Sequence, residues 1–332
     1  MSFLSHDRIL RATSDSAKFR LVLVDATRAA GTIAAQHEAR GYAAQLLGEA
    51  IASALLTASG LKGPGTVQLR FTLSGDISRV NADATPFGLV RAMIPREEIL
   101  RTGTFEPMLL PQTLRVIKLD RDGARLSEGV VEMISTDISQ SMSHYLKQSE
   151  QGTALLRVEA KSAPNAEEAG PKLRYAAGLL VETFPGATPA DWQAAEAVAK
   201  AVDFSAFVRE GGQGIDLEAL KESFSGFGIQ VHREFEIEPF CPCSENSVKR
   251  ALSGLGREGL ESLFLEGQEA ELHCEFCRKR YVVSNAEILG LLNEAEEAEL
   301  QAAAEGRDPQ SAEGPDIVDG EFSEDPDGGK PE

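Results

Sequence analysis

Four cysteines constrain this chain more than anything else in it. They are all the cysteines among 332 residues, and they fall as two tight pairs, Cys241-Pro242-Cys243 and Cys274-Glu275-Phe276-Cys277. Thirty residues lie between Cys243 and Cys274. Two close pairs separated by a small-domain length read as a zinc site with Cys241, Cys243, Cys274 and Cys277 as metal ligands. Four thiolates fill a tetrahedron and leave no open position, so such a site is structural or regulatory rather than hydrolytic. Ser244 is placed to cap a helix that begins after the first pair. Alternation before Cys274 and after Cys277 predicts a hairpin with the second pair at its turn. His232 and His273 are near in sequence, but four sulfurs need neither.

The words around these cysteines carry a family resemblance. Phe240-Cys241-Pro242-Cys243-Ser244 and Glu271-Leu272-His273-Cys274-Glu275-Phe276-Cys277, then Tyr281, resemble the heat shock protein 33 family of redox-regulated chaperones. Tyr145-Leu146-Lys147-Gln148-Ser149-Glu150-Gln151 looks like that family's Y-x-x-x-S-E-Q stretch, and Leu46-Leu47-Gly48-Glu49 and Thr66-Val67-Gln68-Leu69 match in order. The resemblance covers roughly residues 5–290. Pro242 departs from the smaller or acidic residue of the family pattern.

The resemblance implies an ATP-independent holdase, inactive when reduced and zinc-bound. Oxidation would pair Cys241 with Cys243 and Cys274 with Cys277, expel zinc, and unfold the zinc domain and linker. Sequence neighbours also have a high effective concentration for each other. The implied partners are unfolded or misfolded client proteins, with a homodimer when oxidised. The alternative is a structural zinc-ribbon interaction module without redox switching. A thiol–disulfide oxidoreductase would want its C-x-x-C at a helix start in a βαβ setting, and the second pair sits between strands.

Composition narrows the rest. The net charge of −19 repels nucleic acid and anionic membrane, and no apolar run is long enough to cross a bilayer. Arg278-Lys279-Arg280 is too short a basic patch to reverse that and reads as a solvated hairpin end. The first ten residues lack a signal-peptide core, which with paired cysteines points to a reducing cytoplasm. No phosphate loop, nucleophile elbow or metal-hydrolase helix is present, so no enzyme is expected. Gly63-Pro64-Gly65 is a turn, and His37 and His144 stand outside any catalytic pattern.

Periodicity predicts an α+β fold: an N-terminal mixed sheet-and-helix domain, a helical linker and a small C-terminal four-cysteine zinc domain. The expected boundaries are a chaperone core at 1–185, a metastable linker at 186–236, the zinc domain with its redox switch at 237–292, and an acidic disordered tail at 293–332. In the core, 19–24 reads as a strand buried on both faces, and 37–59 as an amphipathic helix. A half-buried strand starts at Val67, and further strands fall at 89–94, 114–119, 130–134, 155–160 and 173–181. Asp120-Arg121-Asp122-Gly123 is a hairpin turn, 137–147 a helix ending at Ser149-Glu150-Gln151, and 162–171 a mobile connection.

In the linker, Thr188, Pro189 and Asp191 open a helix, and a second short helix spans 216–224. Five glycines between Gly211 and Gly228 make this segment costly to order, yet it carries Trp192, Phe204, Phe207 and Phe224. The segment reads either as an ordinary helical spacer docked on the first domain or as a metastable segment that exposes apolar surface when released. Ser284-Asn285-Ala286-Glu287 is a capping box for a last helix. From Glu294 onward, fourteen acidic residues face two basic ones, with almost nothing to bury.

Overall fold

The computed structural model of the chain describes residues 3–4, 6–14, 18–102, 106–149, 153–162 and 173–304. Residues 163–171 of the mobile connection expected at 162–171, Glu150-Gln151 and the tail beyond residue 304 lie outside the described residues. The chain divides into two compact units between Phe240 and Cys241.

The first unit is α+β and, among the described residues, holds two large sheets besides a two-stranded pair. One is five-stranded and antiparallel, in the order β12 (Gln230–Glu236), β2 (Arg8–Ser14), β3 (Phe19–Asp25), β10 (Leu173–Thr183), β9 (Ala154–Ser162). The other is six-stranded: β13 (Glu238–Pro239), β6 (Leu89–Met93), β5 (Arg79–Ala84), β4 (Gly65–Gly75), β7 (Leu109–Asp120), β8 (Arg125–Glu132). Only the short β13–β6 pair in it is parallel. The turn between β7 and β8 is the expected one: the Asp120 side chain accepts from the backbone N–H groups of Asp122 and Ala124.

Helix α2 (Gly41–Ala58) packs on strands of both sheets, which explains why nearly every residue from Ala43 to Ala58 is buried. The close approach shows at Gly178 of β10, where a Cβ would lie 2.8 Å from Leu56 Cδ1 and 2.9 Å from Val158 Cγ1. The single amphipathic helix expected over 37–59 is thereby corrected. It starts at Gly41 and is apolar nearly all round, because it has no solvent face to show.

A separate helix, α1 (Thr27–Gln36), precedes α2. Its first N–H groups are capped from a distance. Asp7, just before β2, accepts from Arg28 N at 3.0 Å and Ala29 N at 2.7 Å. Asp25 accepts from Thr27 N and Thr27 Oγ1, and its buried Oδ2 has no hydrogen-bond partner among the described residues. Burial pushes the Asp7 carboxyl up to about 7, with the Asp25 charge adding to it. Burial raises Asp25 to about 6 against its Thr27 hydrogen bonds. Helix α3 (Arg96–Thr102) follows β6. Helix α4 (Ile138–Ser149) buries Ile138, Met142, Tyr145 and Leu146 as its period requires.

Alternation in β3 sends Val22 and Val24 to the α2 side and Phe19, Leu21 and Leu23 to the opposite face. That opposite face is covered by the segment after β10. Helix α5 (Pro189–Ala201) starts with a Thr188/Asp191 capping box and Pro189, as read from sequence. A short helix α6 (Leu217–Ser223) is capped by Asp216. These helices and the turns that follow them place Ala195, Ala199, Phe204, Phe207, Leu220 and Phe224 on the sheet, with Trp192 partly buried at the edge. The N-terminal β1 (Phe3–Leu4) pairs with β11 (Ile215–Asp216) of this segment, tying it to the chain start.

The second unit, described by itself, holds helices α7 (Glu245–Ser253) and α8 (Gly256–Leu265), the hairpin β14 (Ala270–His273) and β15 (Arg280–Val283), and α9 (Asn285–Ala304). Leu252, Leu260, Val283, Ile288 and Leu291 form its buried core. The Ser284/Glu287 capping box is present. Helix α9 runs to Ala304, into the stretch expected to be without structure, because Ala, Glu, Leu and Gln are strong helix formers. Among the described residues no helix is long and apolar enough to cross a membrane.

Candidate metal centre

The four cysteines converge. Cys241 and Cys243 lie in the extended run before Ser244, which caps α7: its Oγ accepts from Ser247 N, and Ser247 Oγ accepts from Ser244 N. Cys274 and Cys277 lie in the turn of the β14–β15 hairpin, as alternation predicts. That turn is closed by Cys274 N donating to Lys279 O at 3.0 Å and Arg278 N donating to Cys274 O at 2.9 Å. Arg278 holds φ +61, a left-handed conformation that turns the chain back toward β15.

All four sulfurs lie within 4.8 Å of one another. Cys241 Sγ is 3.7 Å from Cys274 Sγ, and Cys243 Sγ is 3.3 Å from Cys277 Sγ. A zinc ion with arms of about 2.3 Å sets sulfur–sulfur edges of about 3.8 Å, so the donor set fits a tetrahedral soft-ligand site. His273 instead faces Glu271 at 3.7 Å, and His232 Nε2 lies 2.6 Å from Thr13 Oγ1, so neither histidine joins the sulfurs.

The thiols are electrostatically unequal. A hydrogen bond with Cys241, helped by the backbone N–H groups of Cys277 and Phe276, pulls Cys274 down to about 4. Burial pushes Cys277 up to about 11. Four sulfurs this close repel as thiolates, so a cation among them is what would hold all four deprotonated. One polar side chain that the cysteine pattern does not reveal also reaches the cluster. Tyr281 donates its hydroxyl to Cys243 Sγ at 3.1 Å, while Lys279 Nζ sits 5.0 Å from the centre of the Tyr281 ring. Burial and that hydrogen bond push the phenol up. The available sequence signal was the strand period, which turns Tyr281 and Val283 inward.

A family model described as Hsp33 protein matches residues 7–284, most of the chain. The chain belongs to the Hsp33 family. The match spans both sheets, the segment that covers the five-stranded one, and all four cysteines. Curated relatives of this Hsp33 chain include the 33 kDa chaperonin of Microcystis aeruginosa, 27% identical over 301 residues, covering 86% of this chain and 97% of that one. The 33 kDa chaperonin of a Synechococcus strain is 29% identical over 300 residues, covering 87% of this chain and 90% of its own. Membership therefore places the chain among chaperones. The crystal structure of the 33 kDa chaperonin (heat shock protein 33 homolog) from Thermotoga maritima aligns with TM-score 0.70 at 22% identity, over 88% of this chain and 99% of that one, which shows a shared fold.

Proposed function

We propose that this Hsp33 chain is an ATP-independent holdase of the cytoplasm, inactive while reduced and zinc-bound and switched on by oxidation. The observation that carries the reading is the four-sulfur cluster within 4.8 Å, placed in a unit with a small apolar core of its own. When bound, zinc would keep Cys241, Cys243, Cys274 and Cys277 as thiolates and tie the 241–243 run to the hairpin. A unit this small leans on its metal for folding. Thiolates are also the reactive form of cysteine, so the groups that hold the fold are the groups an oxidant attacks.

Two thiolates meeting peroxide give one disulfide and two hydroxide ions, with two electrons passing from sulfur to oxygen. Each disulfide removes two donors from the cluster. With the cluster gone, the unit loses its main restraint. The segment over 188–231 is then free to leave the sheet, uncovering Leu21, Leu23, Leu179 and its own Phe204, Phe207 and Phe224. Surface of that kind suits apolar stretches of unfolding clients, and two uncovered copies suit each other, which is the basis for a dimer in the oxidised state.

The test compares the reduced and peroxide-treated chain for zinc content, for suppression of client aggregation without nucleotide, and for Trp192 emission. We expect one zinc per reduced chain, released on oxidation together with onset of activity and a red shift of Trp192, the only tryptophan. Equal inertness of both forms would leave the structural zinc-ribbon module as the reading.

A further inference from the structure

We propose that Tyr281 sets the oxidant threshold of the cysteine cluster by hydrogen-bonding the Cys243 sulfur. The inference rests on the redox reading above and assigns a positioning residue to it. Tyr281 is 5% exposed, and its position is fixed by β15, where its backbone pairs with Leu272 of β14. From there the hydroxyl donates to Cys243 Sγ at 3.1 Å. Cys243 lies on the other side of the cluster, in the run before α7, so this bond joins the two chain segments without needing a metal between them. Lys279 Nζ at 5.0 Å from the ring centre makes the phenol a stronger donor, since a cation over an aromatic face draws charge from the ring.

The chemistry follows from where the electrons are. A thiolate attacks peroxide with a sulfur lone pair: the S–O bond forms, the O–O bond breaks, and hydroxide leaves. A second thiolate then displaces the second hydroxide to close the disulfide. An O–H aimed at Cys243 Sγ holds back the lone-pair density that the first step spends. Hydrogen bonds to metal-bound thiolates tune them in this way. A single hydrogen bond to a charged acceptor stabilises it by about ten- to a hundredfold in equilibrium terms. With a nucleophilicity slope of about 0.45, that slows attack on an oxidant by about three- to eightfold. The cluster thereby tolerates background peroxide and fires at a higher dose.

The experiment uses the full-length, reduced, zinc-loaded chain and Tyr281→Phe, which keeps the ring and removes only the hydroxyl. Zinc release is followed with a chromogenic zinc dye and thiol loss by titration, once under excess peroxide and once under a competing chelator without oxidant. Peroxide-driven release should accelerate about three- to eightfold, while chelator-driven release should not. A purely structural role would speed both alike, and that result overturns the inference. Unchanged peroxide kinetics in Tyr281→Phe beside normal wild-type release overturns the inference alone. A wild-type chain that carries no zinc overturns it together with the redox reading. Lys279→Met is the second variant, for use if Tyr281→Phe loads poorly; it should accelerate peroxide release by about twofold through a weaker phenol donor, and no change would count against the inference.

Discussion

Arg157→Met should loosen the covering segment without touching the cysteine unit. Arg157 stands on β9, and its Nη1 lies 2.9 Å from Ala199 O, 2.8 Å from Lys200 O and 2.9 Å from Val202 O. These carbonyls belong to the last turn and C-cap of α5, where the helix leaves acceptors unsatisfied and its dipole is negative. The guanidinium carbon also lies 5.5 Å from the centre of the Phe204 ring. Nη1 carries only two hydrogens, so three contacts amount to two full hydrogen bonds shared among three oxygens. Two charge-assisted bonds in a half-exposed site contribute about 1 kcal/mol each, and the dipole and ring contact add about 0.5 kcal/mol apiece. The sum of about 2–3 kcal/mol corresponds to a rise of about 30- to 150-fold in the population with α5 off the sheet. Native-state amide exchange under reducing conditions is the assay. Residues 189–208 should exchange faster by that factor, β3 and β10 should keep their protection, and Trp192 should shift to the red without loss of zinc. Reduced Arg157→Met should then show partial holdase activity. If β10 loses protection in step with α5, the segment and the sheet melt as one body, and the reasoning that treats the segment as separable is wrong.

Two further outcomes are expected. Peptide mapping of chain oxidised while its cysteine unit unfolds should find Cys241–Cys243 and Cys274–Cys277; oxidation of the folded cluster should instead yield some crossed links, because Cys243 and Cys277 sulfurs lie 3.3 Å apart there. Mainly crossed links under unfolding conditions would contradict the pairing. Asp25→Asn should gain stability relative to wild type as pH rises from 5 to 8, by on the order of 1–2 kcal/mol, with little difference near pH 4. The sign follows from Asp7 at about 7 and Asp25 at about 6: both bind protons more tightly folded than unfolded, so their favourable share is complete below about pH 4 and is lost as pH rises through 6–7. Thermal melts across that range check it, and a parallel pH dependence in both chains would refute it.

What the sequence made legible was local chemistry. The cysteine pairs, the Thr188 and Ser244 caps, the Asp120 turn and the α4 stripe each depend on residues within a few positions of one another, and each is where it was expected. Helix α1 carries no local start signal because its cap is remote. Ala26 precedes it without a side-chain bond, and the carboxylate that satisfies Arg28 N and Ala29 N is Asp7, about twenty residues earlier. Helix α2 is legible in the sequence, but its character is not. A helix enclosed by two sheets has no polar face, and periodicity cannot separate that case from a broad amphipathic stripe. The role of Tyr281 was hidden for a related reason: an inward position on β15 is visible in the sequence, but which sulfur it meets depends on how the hairpin folds against the run at 241–243.

The covering segment has its own fastenings, and these decide how a switch in the cysteine unit can reach it. Strand β12 is laddered along β2, Ile237 N donates to Asp7 O, and Glu238 N and Phe240 N donate to Gly88 O and Val90 O. The chain is therefore stitched to the first unit up to the residue before Cys241. Unfolding the cysteine unit breaks none of these bonds directly. What it changes is entropy: a chain that leaves a folded unit at Cys241 becomes free to move there, and peeling can begin at that end. The outermost strand offers the path. Among the described residues β12 is paired on one side only, nearly all its side chains are exposed, and its register slips between Val231 and Arg233. Beneath it in sequence, Phe204, Phe207 and Phe224 are 0–2% exposed and resist release far more strongly. Under the proposed switch, metal loss and release of the aromatic segment would thus be separate steps, the first set by sulfur chemistry and the second by packing. Warmth, mild denaturant or a lost Arg157 should therefore quicken activation by the oxidant, because oxidation would supply a free end while the packing under α5 and α6 sets how fast the segment follows.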